Sequence, residues 1–219
     1  MLYKYTEKFV ADLLFNENCI RIGTLNGFKN MESKKGISDP LEGSYKDKLS
    51  IDYFTEKDLF NNPLLRRNIG SSIQVSENSG GVVVIGGQFN SIKRSPNYLI
   101  FCSAHTKSSE VMEQFEGADT CFHIYKARSF FLLITWALEK KFNKPVKFLG
   151  AWGVNYDEYD RQRSGMNSRP LHPALAKTKE FSSQCEVRAI WEVPEDCIKE
   201  SYYDLKILGL RKFCRIVDL

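Results

Sequence analysis

The alternation of apolar and polar positions along this chain predicts many short strands. β-branched and aromatic residues gather in short runs that are separated by turn-forming residues, which is the pattern typical of strands. The predicted strands cover residues 2–5, 19–24, 82–85, 97–104, 119–125, 146–156, 185–193 and 210–218. Strands therefore dominate the predicted fold.

Helical spacing of apolar residues predicts three helices between these strands. The first is capped by Thr6 and runs to about Phe15. Its predicted apolar face consists of Phe9, Val10, Leu13 and Leu14. The second helix is predicted over residues 56–66 and the third over residues 127–142. The third should bury Phe130, Phe131, Ile134 and Leu138. Residues 26–44 are rich in turn-forming residues and predict a loop.

Length and composition are those of one compact domain. The chain has 219 residues, of which 42% are hydrophobic and 26% are charged, and this is enough to bury a sizeable core. Its formal net charge of +4 is well below the basic excess of a dedicated DNA-binding module. The sequence has no internal repeat, linker or low-complexity segment. We therefore expect a single α+β domain over residues 1–219 with a mostly antiparallel sheet.

Cysteine usage and the amino terminus indicate the compartment. The cysteines show no small-domain disulfide spacing and mostly adjoin apolar residues, which predicts reduced thiols. They are Cys19, Cys102, Cys121, Cys185, Cys197 and Cys214. The amino terminus has no apolar signal core, and no stretch approaches the roughly twenty apolar residues of a membrane span. We expect a soluble, cytoplasmic protein with no membrane partner.

The most informative motif begins the predicted strand at residues 185–193. Gln184 and Glu186 are two positions apart and are therefore expected to project to the same face of that strand. A long polar segment, residues 156–183, precedes them and predicts a loop. An alternative interpretation makes Gln184, Glu186 and Arg188 the solvent-facing side of a half-exposed strand.

A polar loop that leads into a Gln-x-Glu strand resembles the active-site edge of ADP-ribosyltransferases. The resemblance implies a fold of split antiparallel β-sheets with flanking helices, and NAD as a substrate. It further implies that Glu186 is the catalytic carboxylate, which contacts the nicotinamide ribose. Gln184 would then orient the acceptor.

The amino terminus resembles the first-strand motif of the same superfamily, in which a basic residue, His or Arg, holds the dinucleotide. In the segment Leu2-Tyr3-Lys4-Tyr5-Thr6, Lys4 takes that position. A Lys ammonium lacks the fork of Arg but can neutralise a pyrophosphate. The resemblance implies that Tyr3 or Tyr5 stacks on the nicotinamide ring or adenine; packing in the strand is the alternative.

Two further residues belong to the implied cofactor site. Arg21, in the predicted second strand, is a rival to Lys4 for the basic role, with a solvent-facing strand charge as the alternative. Ser103 ends the apolar run from Ile100 to Ala104, where related transferases carry a Ser that braces the catalytic Glu. A Ser that bonds only to backbone at a strand end is the competing interpretation.

The whole chain also resembles a poorly characterised bacterial family. That family opens with Leu-Tyr-Lys-Tyr, carries an Asp-Pro-x-Glu segment, matched here by Asp39 to Glu42, and closes with Gln-x-Glu-x-Arg, matched by Gln184 to Arg188. The matches are short motifs scattered over roughly residues 1–190. The implied setting is a bacterial toxin or phage-defence effector, which leaves room for an antitoxin as a partner.

The chemistry implied by the resemblance follows from charge. Cleavage of the bond between nicotinamide and ribose develops oxocarbenium character, which an anionic carboxylate stabilises. The preceding loop combines aromatic and cationic residues, which suit stacking and phosphate contacts. These are Tyr156, Tyr159, Arg161, Arg163, Arg169, Lys177 and Lys179. The expected acceptor is a macromolecule, with RNA or DNA slightly preferred over protein.

Other functional classes stay open from the sequence. Cys and His are good zinc ligands, and a metal-dependent hydrolase would use Cys102, His105, Cys121 and His123. A magnesium-dependent nuclease would draw on carboxylates. The candidates are Asp39, Glu42, Asp157, Glu158 and Asp160. A non-catalytic protein that binds nucleic acid or protein is the remaining alternative.

Overall fold

The computed structural model describes residues 1–30, 41–75 and 81–219. Its strands are β1 (Leu2–Thr6), β2 (Cys19–Thr24), β3 (Ser44–Thr55), β4 (Val83–Arg94), β5 (Leu99–Ala104), β6 (Thr120–Ile124), β7 (Lys147–Gly153), β8 (Asn155–Asp157), β9 (Asp160–Ser164), β10 (Ala176–Thr178), β11 (Glu186–Glu192), β12 (Tyr202–Lys206) and β13 (Cys214–Val217). Its helices are α1 (Lys8–Glu17), α2 (Leu25–Asn30), α3 (Glu56–Asn61), α4 (Pro63–Ile69), α5 (Ser109–Met112) and α6 (Ala127–Phe142). Short 3₁₀ turns cover Pro173–Leu175, Lys179–Gln184, Glu195–Cys197 and Leu210–Phe213.

The main sheet is antiparallel throughout and is built around β5. Its strand order is β12-β2-β5-β1-β6-β13, and β11 pairs with β5 and then with β7. The mixture of helices with mostly antiparallel strands agrees with the expected α+β class.

Strands β1 and β2 share one edge of β5, and this divides the sheet. β2 pairs with the start of β5 through Gly23 and Thr24, whereas β1 pairs with its end through Tyr3 opposite Ala104. The opposite edge of β5 is covered by β11 along its whole length. The two strands on the shared edge therefore diverge beside the middle of β5.

Helices α1 and α6 pack on one face of the main sheet and form the largest apolar core. The α6 prediction is confirmed in its bounds and in its buried face, since Phe130, Phe131, Ile134 and Leu138 are all buried. Trp191 of β11 is fully buried in this core, and its indole nitrogen donates to Thr135 Oγ1 at 2.8 Å. The removal of these apolar side chains from water is the main contribution to the stability of this core.

A second sheet has the order β4-β3-β9 and its own apolar cluster. Helices α3 and α4 connect β3 to β4 and contribute Leu59, Leu65 and Ile69 to that cluster. The Arg163 guanidinium on β9 holds the buried Asp47 carboxylate of β3 through two bonds of 2.6 and 2.7 Å. This bidentate geometry is the strong form of a carboxylate ion pair.

The prediction for the first helix is correct in place but wrong at its start. Thr6 is still paired with Thr120 in the sheet, so Glu7 occupies the N-cap, where its side chain makes no capping hydrogen bond. Of the predicted apolar face, Leu14 is buried, Val10 and Leu13 are half-buried, and Phe9 is 60% exposed; α1 also buries Ala11.

The second predicted helix is interrupted. Thr55 and Asp58 form a capping box that starts α3, and the Asn62 side chain accepts from the amides of Leu64 and Leu65 to start α4. Pro63 at the first position of α4 removes a donor that a continuous helix would need. The predicted loop at residues 26–44 is partly helical, because residues 26–30 belong to α2. Residues 31–40, with the Asp39-Pro40 motif, lie outside the described residues.

The strand predictions hold for the apolar runs and fail for the polar ones. The predicted strand at residues 146–156 is divided into β7 and β8, and the one at residues 210–218 starts only at Cys214. The predicted loop at residues 156–183 contains β9, β10 and two 3₁₀ turns, and β3 and β12 were not predicted. Within the described residues, no helix has the length and apolar character needed to cross a membrane.

Candidate active site

A cavity of about 450 Å³ lies where β1 and β2 diverge. Its wall combines charged groups with an apolar recess that reaches the core under α1. The charged residues on the wall include Lys4, Arg21, Glu42, Lys177, Glu186 and Arg188. The recess is formed by Val10, Leu14, Ile20, Phe101 and Phe122. This combination of an apolar body with a few convergent polar groups is typical of small-molecule sites.

Strand β11 directs two charged side chains of the cavity wall to the face of the sheet opposite to its core residues Ala189 and Trp191. Glu186 pairs with Ala104 and Arg188 with Cys102 across the β5–β11 ladder, so all four share one face. Gln184 is not on this strand, because Cys185 adopts a left-handed conformation (φ 48°) between the 3₁₀ turn and β11.

Lys177 nevertheless brings Gln184 and Glu186 together. Its ammonium donates to Gln184 Oε1 at 2.8 Å and to Glu186 Oε2 at 3.0 Å. Lys177 reaches this position from β10, whose parallel pairing with β8 lays the preceding loop over the site. Gln184 and Glu186 are therefore brought together by Lys177, a cation outside the Gln-x-Glu motif.

Arg188 completes a buried quartet of Glu42, Lys177, Glu186 and Arg188. Its Nε donates to Glu186 Oε1 at 2.7 Å, a terminal nitrogen donates to the Ala174 carbonyl at 2.7 Å, and it forms an ion pair with Glu42. All four side chains are nearly inaccessible to water. The interpretation of this motif as a solvent-facing side is therefore wrong.

The two cations decide the ionisation of the catalytic candidate. Burial alone would raise the pKa of Glu186, but the charges of Arg188 and Lys177 outweigh it and hold that pKa well below 4.5. Burial alone would lower the pKa of Arg188, but the charges of Glu186 and Glu42 outweigh it and raise that pKa well above its usual range. Glu186 and Arg188 are therefore both charged at neutral pH.

Cys102 lies on the cavity wall between these charges. Burial, followed by the neighbouring Glu186 carboxylate, raises the pKa of its thiol strongly. A thiol that is held protonated in this way is a poor nucleophile and a poor metal ligand. Cys102 therefore contributes shape and a weak hydrogen bond to the site.

Lys4 and Tyr5 lie on the β1 side of the cavity. The Tyr5 hydroxyl donates to the Thr106 carbonyl at 2.7 Å and accepts from the Ser108 amide at 2.9 Å, so it anchors the segment after β5. The Lys4 ammonium lies 5.3 Å from the centre of the Phe101 ring. Within the described part of the chain, no carboxylate forms a salt bridge with Lys4.

The remaining predicted residues are more distant from the quartet. Arg21 lines the cavity, but its guanidinium is engaged by Asp204 at 2.8 and 2.9 Å and stacks on Tyr202. Ser103 points to the other face, where its hydroxyl donates to the Val187 carbonyl at 3.3 Å rather than bracing Glu186. The Tyr3 ring stacks on His123 outside the cavity wall.

The structure gives roles in the site to residues that the sequence reasoning had not assigned to it. Glu42 was noted only in the Asp-Pro-x-Glu segment and as a nuclease carboxylate, and Lys177, nine positions before Glu186, only among the cations of the loop. Tyr156 accepts a hydrogen bond from the Glu186 amide at 2.7 Å and so fixes the start of β11. Arg188 could have been assigned to the site from the sequence. It is the last residue of the Gln-x-Glu-x-Arg motif, and strand alternation places it on the same face as Glu186.

The alternative catalytic sites find no support in the described residues. These contain no group of three or more Cys, His, Asp or Glu side chains that could hold a metal ion. Asp157 pairs with Arg161 at 3.1 Å and Asp160 with Lys48 at 2.8 Å, so both acidic side chains are engaged by neighbouring cations. Asp39 lies outside the described residues.

Comparison of the chain with protein-family models, with curated proteins and with solved structures finds no match.

His123 should make the stability of the fold depend on pH. Burial, and then the charges of Arg215 and the amino terminus, lower its pKa below 6.5. The unfolded chain therefore binds this proton more tightly, and the stability contributed by neutral His123 is lost as the pH falls below about 6.5. The urea midpoint of the wild-type chain should drop more between pH 7.5 and pH 5.5 than that of His123→Phe. Equal drops would contradict this assignment.

Proposed function

We propose that the cavity binds NAD and that the chain is an ADP-ribosyltransferase with Glu186 as its catalytic carboxylate. One observation carries the proposal. Glu186, Lys4, Tyr5 and Arg21, which separate sequence motifs had assigned to one active site, line the same cavity. Lys4 and Tyr5 are neighbours in the chain, but Arg21 and Glu186 lie far from them and from each other in the sequence. The common location of these three sites is therefore not a consequence of chain proximity.

The chemistry of the cavity suits a dinucleotide. Its volume lies within the range of about 300–1,000 Å³ that is usual for small-molecule sites. Lys4 offers a positive charge without a carboxylate partner among the described residues, which suits a pyrophosphate. The apolar recess with Phe101 and Phe122 suits a flat heteroaromatic ring. The split of the main sheet agrees with the split antiparallel sheets that the resemblance implies.

Glu186 is held in the state that the reaction needs. As the bond between nicotinamide and ribose lengthens, positive charge develops on the ribose, and an ionised carboxylate stabilises that charge more than the ground state. Lys177 and Arg188 hold both carboxylate oxygens in place, which reduces the reorganisation required during reaction. Glu42 offsets one of the two cations, so the quartet has no net positive charge that would repel the developing cation.

The acceptor is proposed to be a macromolecule, with RNA or DNA preferred over protein. Two cations of the loop form ion pairs inside the protein, Lys177 with Glu186 and Arg163 with Asp47. Arg169 and Lys179 remain exposed and suit phosphate contacts. The setting proposed for this activity, a bacterial toxin or phage-defence effector with room for an antitoxin, rests on family analogy.

Replacing Lys4 by methionine should weaken NAD binding by about 10- to 100-fold, because a charge-assisted hydrogen bond contributes about 1.5–3 kcal/mol. Isothermal titration of the purified chain with NAD measures this directly. Lys8→Met is the matched control. It removes the same charge from an exposed residue that does not line the cavity. No binding of NAD to the wild-type chain would overturn the proposed function.

A non-catalytic NAD-binding domain is the second candidate, and one observation favours it. Both oxygens of Glu186 already accept hydrogen bonds from Arg188, and one of them also accepts from Lys177. If these bonds persist when NAD binds, the carboxylate is shielded from the ribose. Binding of NAD without release of nicotinamide would establish this second candidate.

A further inference from the structure

Strand β4 has an edge that no other strand covers within the described residues. It pairs with β3 from Val83 to Arg94, and the sheet ends there in the order β4-β3-β9. The ten positions from Val83 to Ile92 carry no charged side chain. A long, uncharged edge strand is a template for pairing with another strand, and natural proteins normally block such edges with charge, proline or a covering element.

The backbone groups that face outwards on this edge can be assigned. The Ser95 amide donates to the Gly43 carbonyl at 2.9 Å, and the Lys46 amide donates to the Tyr159 carbonyl at 2.9 Å on the far side of β3. Because antiparallel residues alternate between the two sides of a strand, the even-numbered residues of this part of β4 direct N–H and C=O away from β3. They are Gln88, Asn90, Ile92 and Arg94.

The side chains around this edge are more exposed than apolar residues usually are. Ile85 is 80% exposed, and Val83, Tyr53 and Ile92 are each more than half exposed. Gly86 has a φ of +65°, and a Cβ added there would meet nothing within 4 Å. A glycine with this φ bends the strand locally, and its missing Cβ leaves room for a side chain of a neighbouring strand.

The charges at the two ends of this edge are complementary. Arg94 and Lys93 form the basic end of β4. Near the other end, the register of β3 against β4 places Asp52 opposite Gly86, and Glu56 follows at the start of α3. An antiparallel partner strand with the same sequence therefore brings its basic end to the acidic end of the first.

We propose that two copies of this chain pair antiparallel through their β4 edges, centred on Asn90. The two three-stranded sheets then join into one sheet across a two-fold axis, which is the closed symmetry that most homodimers adopt. In this register Arg94 of one copy lies opposite Gly86 of the other. The missing side chain at Gly86 lets the guanidinium reach Asp52. This interface is independent of the proposed NAD chemistry.

Sedimentation equilibrium from about 1 to about 100 µM chain tests the proposal. The wild-type chain is expected to reach twice the 25.2 kDa mass of one copy. Asn90→Pro should remain at the mass of one copy, because proline removes an outward N–H without breaking the ladder to β3. Asn90→Ala is the matched control and should dimerise like the wild type. A wild-type chain that stays at the single mass, or an Asn90→Pro variant that still dimerises, would overturn the proposal.

A pair of surface substitutions tests the register without a proline. Arg94→Asp should raise the dimer dissociation constant about tenfold, since it replaces two attractive contacts by repulsive ones. Adding Asp52→Lys to Arg94→Asp restores the attraction with the charges exchanged, and should return the dissociation constant to near the wild-type value. If the double variant dissociates as readily as Arg94→Asp, the proposed register is wrong.

Discussion

Replacing Arg188 by methionine should lower the free energy of unfolding by about 3–5 kcal/mol. Methionine fills much of the same volume, but it removes the Arg188 cation from the buried Glu42 and leaves Glu186 with Lys177 as its one cation among the described residues. Breaking a buried ion pair by removing one partner is costly because it strands a charge away from water. The Ala174 carbonyl also loses a donor. Urea unfolding followed by tryptophan fluorescence measures the change.

Arg215→Met is the control for this loss. Arg215 lies exposed on β13, so its replacement should change the unfolding free energy by less than about 0.5 kcal/mol. Adding Glu42→Leu to Arg188→Met should recover part of the lost stability, because it removes one stranded carboxylate. If Arg188→Met is no less stable than Arg215→Met, the quartet does not have the energetic role described.

Replacing Glu186 by glutamine should reduce NAD turnover by a factor on the order of 10³, which is the scale seen when a group that stabilises transition-state charge is removed. The amide keeps the shape, and its one oxygen can still accept from Lys177 and a terminal nitrogen of Arg188. Its NH₂ group replaces the oxygen that accepts from Arg188 Nε, and it has no negative charge to place at the ribose. Nicotinamide release from NAD measures the loss. Circular dichroism of the same sample checks that the fold is retained.

Glu192→Gln is the matched control, because Glu192 ends the same strand but is exposed and pairs with Lys147 at 3.5 Å. It should turn over NAD at the wild-type rate. Normal turnover by Glu186→Gln would sink the assignment of this residue as the catalytic carboxylate.

The same two variants also identify the acceptor. NAD labelled in its adenylate half is incubated with total RNA, DNA and protein from a bacterial lysate. Label that enters one fraction with the wild-type chain and with Glu192→Gln, but not with Glu186→Gln, names the acceptor class. Nicotinamide release without labelling of any fraction would indicate an NAD hydrolase instead of a transferase.

Local patterns in the sequence predicted those parts of the fold that are stabilised locally. Helix α6 has apolar residues at helical spacing over its whole length, so its bounds and buried face were predictable. The polar strand β3 was not, because Asp47 is buried only through its bidentate bond with Arg163, more than a hundred residues away. In the sequence, a charged residue that is buried in such an ion pair cannot be distinguished from a charged residue on the surface.

The candidate site shows the same limit at β11. Its alternation of Glu186, Arg188 and apolar residues resembles a half-exposed strand, yet β11 lies between β5 and β7 and is buried on both faces up to Trp191. One face packs in the apolar core and the other in the charged quartet. Only the partners Glu42 and Lys177 distinguish this arrangement from a solvated face, and neither belongs to β11: Lys177 lies nine positions before Glu186, and Glu42 lies before β3.

The divergence of β1 and β2 has a consequence for how a ligand can be recognised. The His105 amide bonds to the Cys185 carbonyl on the β11 side, so the alternation of β5 turns the N–H and C=O of Cys102 towards the cavity edge. Neither β1 nor β2 pairs with Cys102 in the described residues. The main chain itself therefore offers one donor and one acceptor to a bound molecule. Because these are main-chain atoms, a substitution at this position leaves both of them facing the cavity edge.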